Sequence, residues 1–205
     1  MKLSRERLLQ EAGTTGFRPE SLEKVIRLIG LLNGIFSQPF LRDRLVLKGG
    51  TALNLFLFDV PRLSVDIDLN YIGSVSRDGM EAERPELERR LQRVFEADDF
   101  TVRHVPDEHA GGKWQLRYPG SQGQGGNLEV DLNYLHRVPL EPVRFLDSRA
   151  LGLFQAKDIP VLGLHDLAAG KLPCWIGPRQ GMSSMLPACL AFRVWTWTFS
   201  GCRSW

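Results

Sequence analysis

The amino-acid sequence predicts an α+β protein in which helices flank a set of β-strands. Residues 22–36 place apolar side chains at spacings of three and four, the pattern of an amphipathic helix beginning near Pro19. Residues 63–71 alternate in the manner of a strand. Two more strands are predicted at 114–118 and 127–134, joined by a hairpin loop rich in Gly, Ser and Gln.

Shorter patterns predict the remaining elements. An extended apolar stretch at 45–48 is interrupted by Gly49-Gly50, and Thr51 is expected to cap a short helix that runs to about residue 58. Residues 84–97 combine one apolar face with surrounding charges, as an amphipathic helix does. Two short strands are predicted at 144–147 and 159–162, and a helix at 164–172.

Composition places the chain among ordinary globular proteins. Its 205 residues are 43% hydrophobic and 24% charged, enough for a core without disulfide or metal support. The formal net charge of +2 is too small to indicate nucleic acid or membrane binding by itself. No apolar run reaches the roughly 20 residues of a membrane span, and the first residues do not resemble a signal peptide. With three cysteines that lack metal-ligand spacing, these features predict a cytoplasmic protein that does not bind a membrane.

The stretch after residue 172 differs in kind from the rest. It holds all three cysteines and four of the five tryptophans, and Asp166 is the last acidic residue of the chain. No helical or strand periodicity runs through it. We therefore predict a domain at 1–172 and an aberrant tail at 173–205. A loosely packed extension is one explanation, and a shift of the reading frame is the explanation we favour.

The frameshift hypothesis agrees with the genetic code. With GC-rich codons of our choosing, the tail can be encoded so that reading two bases later gives a peptide containing ARDVFDA. That peptide regains acidic residues and helical apolar spacing, neither of which the stated tail has. Sequencing the gene across this stretch tests the hypothesis, because codons that cannot give the peptide rule it out.

Two carboxylates separated by one residue dominate the chemistry that the sequence offers. Asp66 and Asp68 lie in a predicted strand, where residues two apart point to the same face. Carboxylates that close repel each other unless a cation lies between them, and Mg²⁺ takes hard oxygen ligands together with substrate phosphates. The preceding Gly49-Gly50 allows the backbone to approach a phosphate. Alone, Asp-x-Asp is more often a solvated strand face and Gly-Gly a turn, but their order and separation together favour a nucleotide site.

A second predicted strand carries Glu129, Asp131 and Asn133 on one face. Two-metal phosphoryl transfer generally needs a third carboxylate that helps to bind the metals or activates the attacking hydroxyl. Asp131 lies in the middle of the strand, where the backbone is rigid, and is the candidate for that role. An ordinary solvent-facing acid is the alternative.

Three further polar residues are candidates. Lys171 follows His165 and Asp166 on the last predicted helix, where its ammonium could offset triphosphate charge, although a solvated surface lysine is the ordinary alternative. Arg62 and Ser64 flank the aspartate pair closely enough to touch a phosphate, or they serve as turn residues. His165 is expected to be structural, because no second histidine or cysteine lies at metal spacing.

At these residues the sequence resembles the AbiEii/AbiGii toxin family of nucleotidyltransferases, within the polymerase-beta-type superfamily. The similarity runs from about residue 45 to residue 172. It rests on LKGGTAL at 47–53, on R-x-S-x-DIDL at 62–69, on the Asp131 strand and on LAAGKL at 167–172. The first two segments are fairly specific as a pair, whereas the other two would be unconvincing alone.

The resemblance implies a nucleotidyltransferase core with a mixed β-sheet, flanking helices and a helical C-terminal part. It also implies Mg²⁺, a nucleoside triphosphate substrate, an RNA acceptor such as the end of tRNA, and a cognate antitoxin. The catalytic candidates are Asp66, Asp68, Asp131 and Lys171, of which the three aspartates are candidate metal ligands. The candidate nucleotide-binding residues are Lys48, Gly49, Gly50, Thr51, Arg62 and Ser64.

The chain departs from the family pattern after Lys171. Members follow that lysine with an aspartate in an Arg-Asp-x-x-Asp context on the next helix, whereas no acidic residue follows Asp166 here. The shifted-frame peptide supplies one at about the right distance. As written, the helical C-terminal part is therefore expected to be truncated or altered, and the product poorly stable with weak or no activity.

Three functions remain open at this point. The leading hypothesis is a metal-dependent nucleotidyltransferase toxin. The second is a non-catalytic nucleotide- or partner-binding protein of the same fold, which triphosphate binding without turnover would favour. The third is a kinase-like phosphotransferase, which would leave a nucleoside diphosphate instead of releasing pyrophosphate.

Overall fold

The computed structural model describes residues 4–58, 63–105, 111–121, 123 and 125–170. The chain divides into two compact units, Met1–Ala168 and Ala169–Trp205. The predicted boundary at residue 172, the tail at 173–205 and the proposed frameshift lie outside the described residues. These remain predictions.

Helices and strands follow each other in an α+β order. The helices are α1 (Arg5–Thr15), α2 (Pro19–Phe36), α3 (Pro39–Arg42), α4 (Gly49–Thr51), α5 (Arg77–Ala97) and α6 (Leu164–Ala169), and a π-helical segment, Ala52–Leu57, continues α4. The strands are β1 (Leu45–Lys48), β2 (Asp66–Tyr71), β3 (Thr101–Val105), β4 (Gly111–Tyr118), β5 (Gly126–Asn133), β6 (Arg144–Leu146) and β7 (Ile159–Val161). Among the described residues, no helix combines the length and the apolar character needed to cross a bilayer.

The seven strands form one mixed sheet in the order β3-β4-β5-β2-β1-β7-β6. Strand β2 runs parallel to β5, and β1 runs parallel to β7. The other neighbouring strands are antiparallel. The structure confirms the α+β fold with a mixed sheet that helices flank, and it places β5 and β2 at the centre of the sheet.

The two faces of the sheet differ because strand side chains alternate between them. On β2, Ile67 and Leu69 are fully buried, and on β5 Val130 is fully buried, all on one face. Helix α2 contacts β5 and α5 contacts β3, and the ring of Phe95 on α5 meets Trp114 of β4 edge to face at 6.0 Å. Each such aliphatic side chain contributes about 1.5–3 kcal/mol when fully buried. The opposite face, which carries the polar residues of the same strands, is called the polar face below.

Helix α5 is longer than the amphipathic pattern at 84–97 predicts. Its N-cap is Ser76, whose hydroxyl accepts a hydrogen bond from the Gly79 amide at 3.1 Å. Ion pairs one turn apart, such as Arg77–Glu81, support the first turns. Pro85 lies inside the helix and removes one amide donor, yet the cap and the packing of the apolar face outweigh that loss. The prediction began the helix too late because Gly79 and Pro85 are poor helix formers.

The prediction that Thr51 caps a helix is wrong. Helix α4 begins two residues earlier, with Lys48 at the N-cap position and no side-chain capping bond. Thr51 is fully buried, and its hydroxyl donates to the backbone carbonyl of Asp66 at 2.5 Å. Strand β2 likewise begins at Asp66, later than the predicted residue 63. The sequence analysis missed α1, α3 and β3 altogether.

A polar cluster attaches α5 to the sheet. The guanidinium of Arg44 donates to both carboxylate oxygens of Glu83, at 2.8 and 3.2 Å. The hydroxyl of Tyr71, a buried residue at the end of β2, donates to Glu83 at 2.7 Å. The hydrogen bond from Arg44 is the main cause that lowers the pKa of the Glu83 carboxyl. The cluster therefore contributes stability only while Glu83 is ionised.

Replacing Glu83 by Gln should lower the free energy of unfolding by about 1–2 kcal/mol near neutral pH, since one charge-assisted bond pair is lost from a half-buried site. Because the pKa of Glu83 is lowered by folding, its contribution is present above the unfolded value of about 4.3 and is lost as the pH falls through the folded value. The difference between the two proteins should therefore shrink below about pH 4. Urea unfolding near neutral pH and below about pH 4 measures the difference in the free energy of unfolding between the two proteins.

Glu81→Gln is the matched control for this prediction. Glu81 lies on the same helix and pairs with Arg77, but both side chains are mostly exposed, so the change should leave stability unaltered. Equal losses in the two variants, or a Glu83→Gln effect that persists at acid pH, would contradict the role of the cluster.

Candidate active site

The polar face carries a row of four charged side chains across four neighbouring strands. The register pairs Lys48 of β1 with Asp68 of β2, Asp68 with Asp131 of β5, and Asp131 with Lys113 of β4. Residues paired across strands point to the same face and have Cβ atoms about 4.5–5.5 Å apart. Two carboxylates therefore lie side by side in the centre of the sheet with a lysine on each side.

A second row lies on the same face, two residues away from the first along each strand. It pairs Asp66 of β2 with Glu129 of β5, and Glu129 with Gln115 of β4. Asp66 is exposed, whereas Asp68, Glu129 and Asp131 are half-buried. The structure thus brings the three predicted aspartates onto one face and adds Glu129 to them. The parallel pairing of β2 with β5 is responsible, because it places two Asp-containing strands in the same register.

Glycines of the LKGG segment lie directly beside this acidic face. Gly49 has a φ of +75°, and a Cβ at this position would overlap the carboxylate of Asp68. At Gly50 a Cβ would lie 3.2 Å from the hydroxyl oxygen of Ser64. The backbone at Gly49 and Gly50 is therefore packed against two candidate residues, Asp68 and Ser64, with no side chain between them.

Lys113 partly compensates the negative charge of β5. Its ammonium lies 2.7 Å from a Glu129 carboxylate oxygen and 3.7 Å from one of Asp131. The hydrogen bond to Glu129 raises the pKa of Lys113, and the same bond lowers the pKa of Glu129. Asp131 behaves differently, because burial raises the pKa of its carboxyl and Lys113 only partly offsets that effect. The charges of Glu129 and Asp66 raise the Asp131 pKa further.

The donor set fits a hard divalent cation that shares its shell with a substrate. Three or more His, Cys, Asp or Glu side chains do not converge on a single point anywhere in the described residues. Mg²⁺ does not require such a cage, since it is usually held by one or two carboxylates and completed by water and phosphate oxygens. Asp66 and Asp68, with Asp131 adjacent, would supply those oxygens on a face that is exposed to half-buried.

Two candidate residues, Arg62 and Lys171, lie outside the described residues, and their roles remain predictions. His165, expected to be structural, places its Nδ1 2.6 Å from the Glu141 carboxylate. Asp166 accepts hydrogen bonds from the amides of Leu140 and Glu141 at 2.8 and 3.1 Å. Both residues of α6 therefore hold the 140–141 segment.

The sequence analysis missed two polar-face residues that the strand pattern could have revealed. Lys113 lies one residue before the strand predicted at 114–118, and alternation from Gln115 places it on the same face. Asn70 follows Asp66 and Asp68 at the same spacing. Its side chain is buried, and its Oδ1 has no hydrogen-bond partner in the structure. A buried acceptor of this kind beside an acidic face is a further candidate to hold water or a ligand.

Comparison with known families agrees with this arrangement. The family model described as nucleotidyl transferase AbiEii toxin, type IV toxin–antitoxin system, matches residues 30–185, which include the acidic face and its glycines. The chain belongs to the AbiEii family. The match confirms the resemblance inferred from the LKGGTAL and R-x-S-x-DIDL segments. A comparison with curated proteins found no match.

A solved structure has the same fold as this AbiEii protein. It is MenT4, a nucleotidyltransferase toxin from Mycobacterium tuberculosis H37Rv, which superposes with a TM-score of 0.56 at 20% sequence identity. The match covers 85% of this chain and 59% of that toxin, so the chain spans about three fifths of its length. At this identity the likeness concerns the fold and assigns no residue a role.

Gly49→Ala should destabilise the AbiEii chain more than a positive φ alone explains. The left-handed backbone costs a non-glycine residue about 1–2 kcal/mol, and the new methyl group must also displace Asp68. Gly16→Ala is the matched control, because its φ is +74° and a Cβ there meets nothing within 4 Å. Chemical unfolding of both variants compares the losses. Equal losses would contradict the close packing of Gly49 on Asp68.

Proposed function

We propose that this chain is a metal-dependent nucleotidyltransferase toxin that transfers nucleotides from a nucleoside triphosphate to the 3′ end of an RNA, with tRNA as the expected acceptor. The observation that carries the proposal is the register of β2 with β5. It sets Asp66 and Asp68 beside Glu129 and Asp131 on an accessible face, next to Gly49. Membership of the AbiEii family supports the same reaction class.

The three aspartates have separate parts in the proposed reaction. Asp66 and Asp68 would hold Mg²⁺, which when bound neutralises phosphate charge and polarises the α-phosphate toward the RNA 3′-hydroxyl. Asp131 lies beside Asp68 and would assist from the neighbouring strand. Because its pKa is raised by burial, its carboxylate is a better proton acceptor than an exposed aspartate would be.

The residues around the aspartates would seat the triphosphate. Gly49 and Gly50 offer backbone without an intervening side chain, and Lys48 places a cation in the row of Asp68. Thr51 would contribute only through its backbone, since its hydroxyl is already bonded inside the fold. Ser64, together with Arg62 and Lys171, completes the proposed set.

The proposed biological setting follows from the family. A type IV toxin–antitoxin system includes an antitoxin, and we propose that a cognate antitoxin controls this chain. Nucleoside triphosphates and tRNA place the reaction in the cytoplasm. The alternatives of a non-catalytic binding protein and of a kinase-like phosphotransferase differ in their products, which makes them separable in one assay.

The deciding assay supplies Mg²⁺, total tRNA and each of the four α-labelled nucleoside triphosphates in turn. Label should appear on RNA with release of pyrophosphate, and strongest from a frame-restored version of the protein run beside the 205-residue chain. Asp66→Asn should reduce transfer on the order of 100-fold or more, because one metal-binding oxygen becomes a neutral amide. Chelation of the metal should have the same effect.

Asp78→Asn is the matched control, since Asp78 is an exposed aspartate in the first turn of α5, away from the polar face. The Asp78→Asn variant should transfer label to RNA at the same rate as the unaltered protein. Bound triphosphate without label on RNA from either form would favour the binding protein, and a nucleoside diphosphate product would favour the kinase. Label from the restored form alone would identify the 205-residue chain as a damaged copy.

A further inference from the structure

The polar face continues beyond the acidic centre onto β3 and β4, and its charge changes sign there. Alternation places Arg117 of β4 on the same face as Lys113 and Gln115, and the register pairs Gln115 with Arg103 of the edge strand β3. Both arginines are exposed. The face therefore passes from carboxylates in the centre to guanidinium groups at the edge.

Within the described part of the chain, the cross-strand neighbours of the two arginines are uncharged. Arg117 is paired with Thr101 on one side and Asn127 on the other, and Arg103 is paired with Gln115. Lys113, by contrast, is matched by Glu129 at 2.7 Å. No ion pair of Arg103 or Arg117 occurs among the residues that the structure describes. Both guanidinium groups are exposed, which suits them to contact an external anion.

We propose that Arg103 and Arg117 form the track on which the phosphate backbone of the acceptor RNA lies as its 3′ end reaches Asp66 and Asp68. This inference rests on the proposed function and adds the location of the RNA. Charge complementarity selects the occupant, because a chain of phosphates matches guanidinium groups that lead toward a metal-binding centre.

The distance from Arg103 to Asp66 distinguishes the track from the site proposed for the triphosphate. Arg103 lies three strands away from Asp66, a span of about 14 Å at the ~4.8 Å spacing between strands. A triphosphate whose α-phosphate lies at the aspartates extends only part of that way, whereas a stacked RNA strand covers it with about four nucleotides at ~3.4 Å each. The track is therefore suited to the acceptor strand.

The side chains of the polar face also predict how strongly RNA binding depends on the RNA sequence. Among the described polar-face positions of β3, β4 and β5, none is aromatic, so these strands offer the bases no ring to stack on. Arginines that contact phosphates orient a strand without distinguishing its sequence. The track should thus bind RNA with little regard to sequence, and acceptor choice must come from elsewhere.

The test measures RNA binding separately from catalysis. Fluorescence anisotropy would follow labelled single-stranded RNAs of about 12 nucleotides, in two unrelated sequences, with the 205-residue chain and no triphosphate. Arg103→Gln and Arg117→Gln should each weaken binding of both sequences by roughly 3–10-fold at low salt. Each should also reduce the slope of log affinity against log salt by about 0.7, and the double variant by about twice that.

Arg93→Gln is the matched control, because Arg93 is an exposed arginine on α5, the helix that covers the opposite face. The Arg93→Gln variant should bind both RNAs with the affinity and salt dependence of the unaltered chain. In the frame-restored protein, the double variant should raise the KM for RNA and leave the KM for triphosphate unchanged.

Three outcomes overturn the track. They are equal RNA affinity in all variants, loss of triphosphate affinity in place of RNA affinity, and no measurable RNA binding by the unaltered chain. A failed transfer assay with intact, arginine-dependent RNA binding would instead refute the proposed function alone.

Discussion

The site depends on one constraint, the register of β2 against β5. Side chains alternate along both strands, so a single choice of register decides which residues meet the helices and which face outward. Buried Ile67 and Val130 enforce that choice, because a slip of one residue on either strand would expose its apolar side chains and bury carboxylates among α2 and α5. The hydrophobic core thus keeps the carboxylates of β2 and β5 on the same face, where the observed register places Asp68 beside Asp131.

Bringing like charges together has an electrostatic cost that the surrounding residues reduce. Lys48 and Lys113 flank the pair of Asp68 and Asp131 in the same row, so the carboxylates are not left without counter-charge. The compensation is incomplete, because the pKa of Asp131 stays raised. A carboxyl that folding makes harder to ionise is one that a bound cation stabilises in its charged form. In the proposed function, a bound cation would therefore relieve part of the remaining electrostatic cost.

The local sequence pattern was sufficient to predict a helix or strand wherever one simple pattern of apolar residues ran through the element. Helix α2 and strand β5 follow the prediction because their apolar residues repeat at one spacing, and β1 follows it because its apolar residues form one continuous buried run. Prediction from local pattern failed where a long-range contact decides the role of a side chain. At Thr51, the hydroxyl donates to the carbonyl of Asp66, fifteen positions away, instead of capping its own helix. The pairing of Asp68 with Asp131 was also beyond the sequence analysis, because strand order is a property of the whole sheet. Lys113 was overlooked because the predicted strand began at residue 114, three residues after β4 begins at Gly111.

The placement of Thr51 explains how the glycines and the aspartates come to act as one unit. Its buried hydroxyl ties the last residue of α4 to the first residue of β2. That tie, together with the positive φ of Gly49, presses the backbone of the LKGG segment against the Asp68 carboxylate. A phosphate approaching Gly49 would therefore approach the carboxylates proposed to bind the metal at the same time. The relative position of the two is set by a hydrogen bond from a short buried side chain to the backbone and by packing. Both move less than long side chains do, which is the kind of preorganisation that the proposed phosphoryl transfer would require.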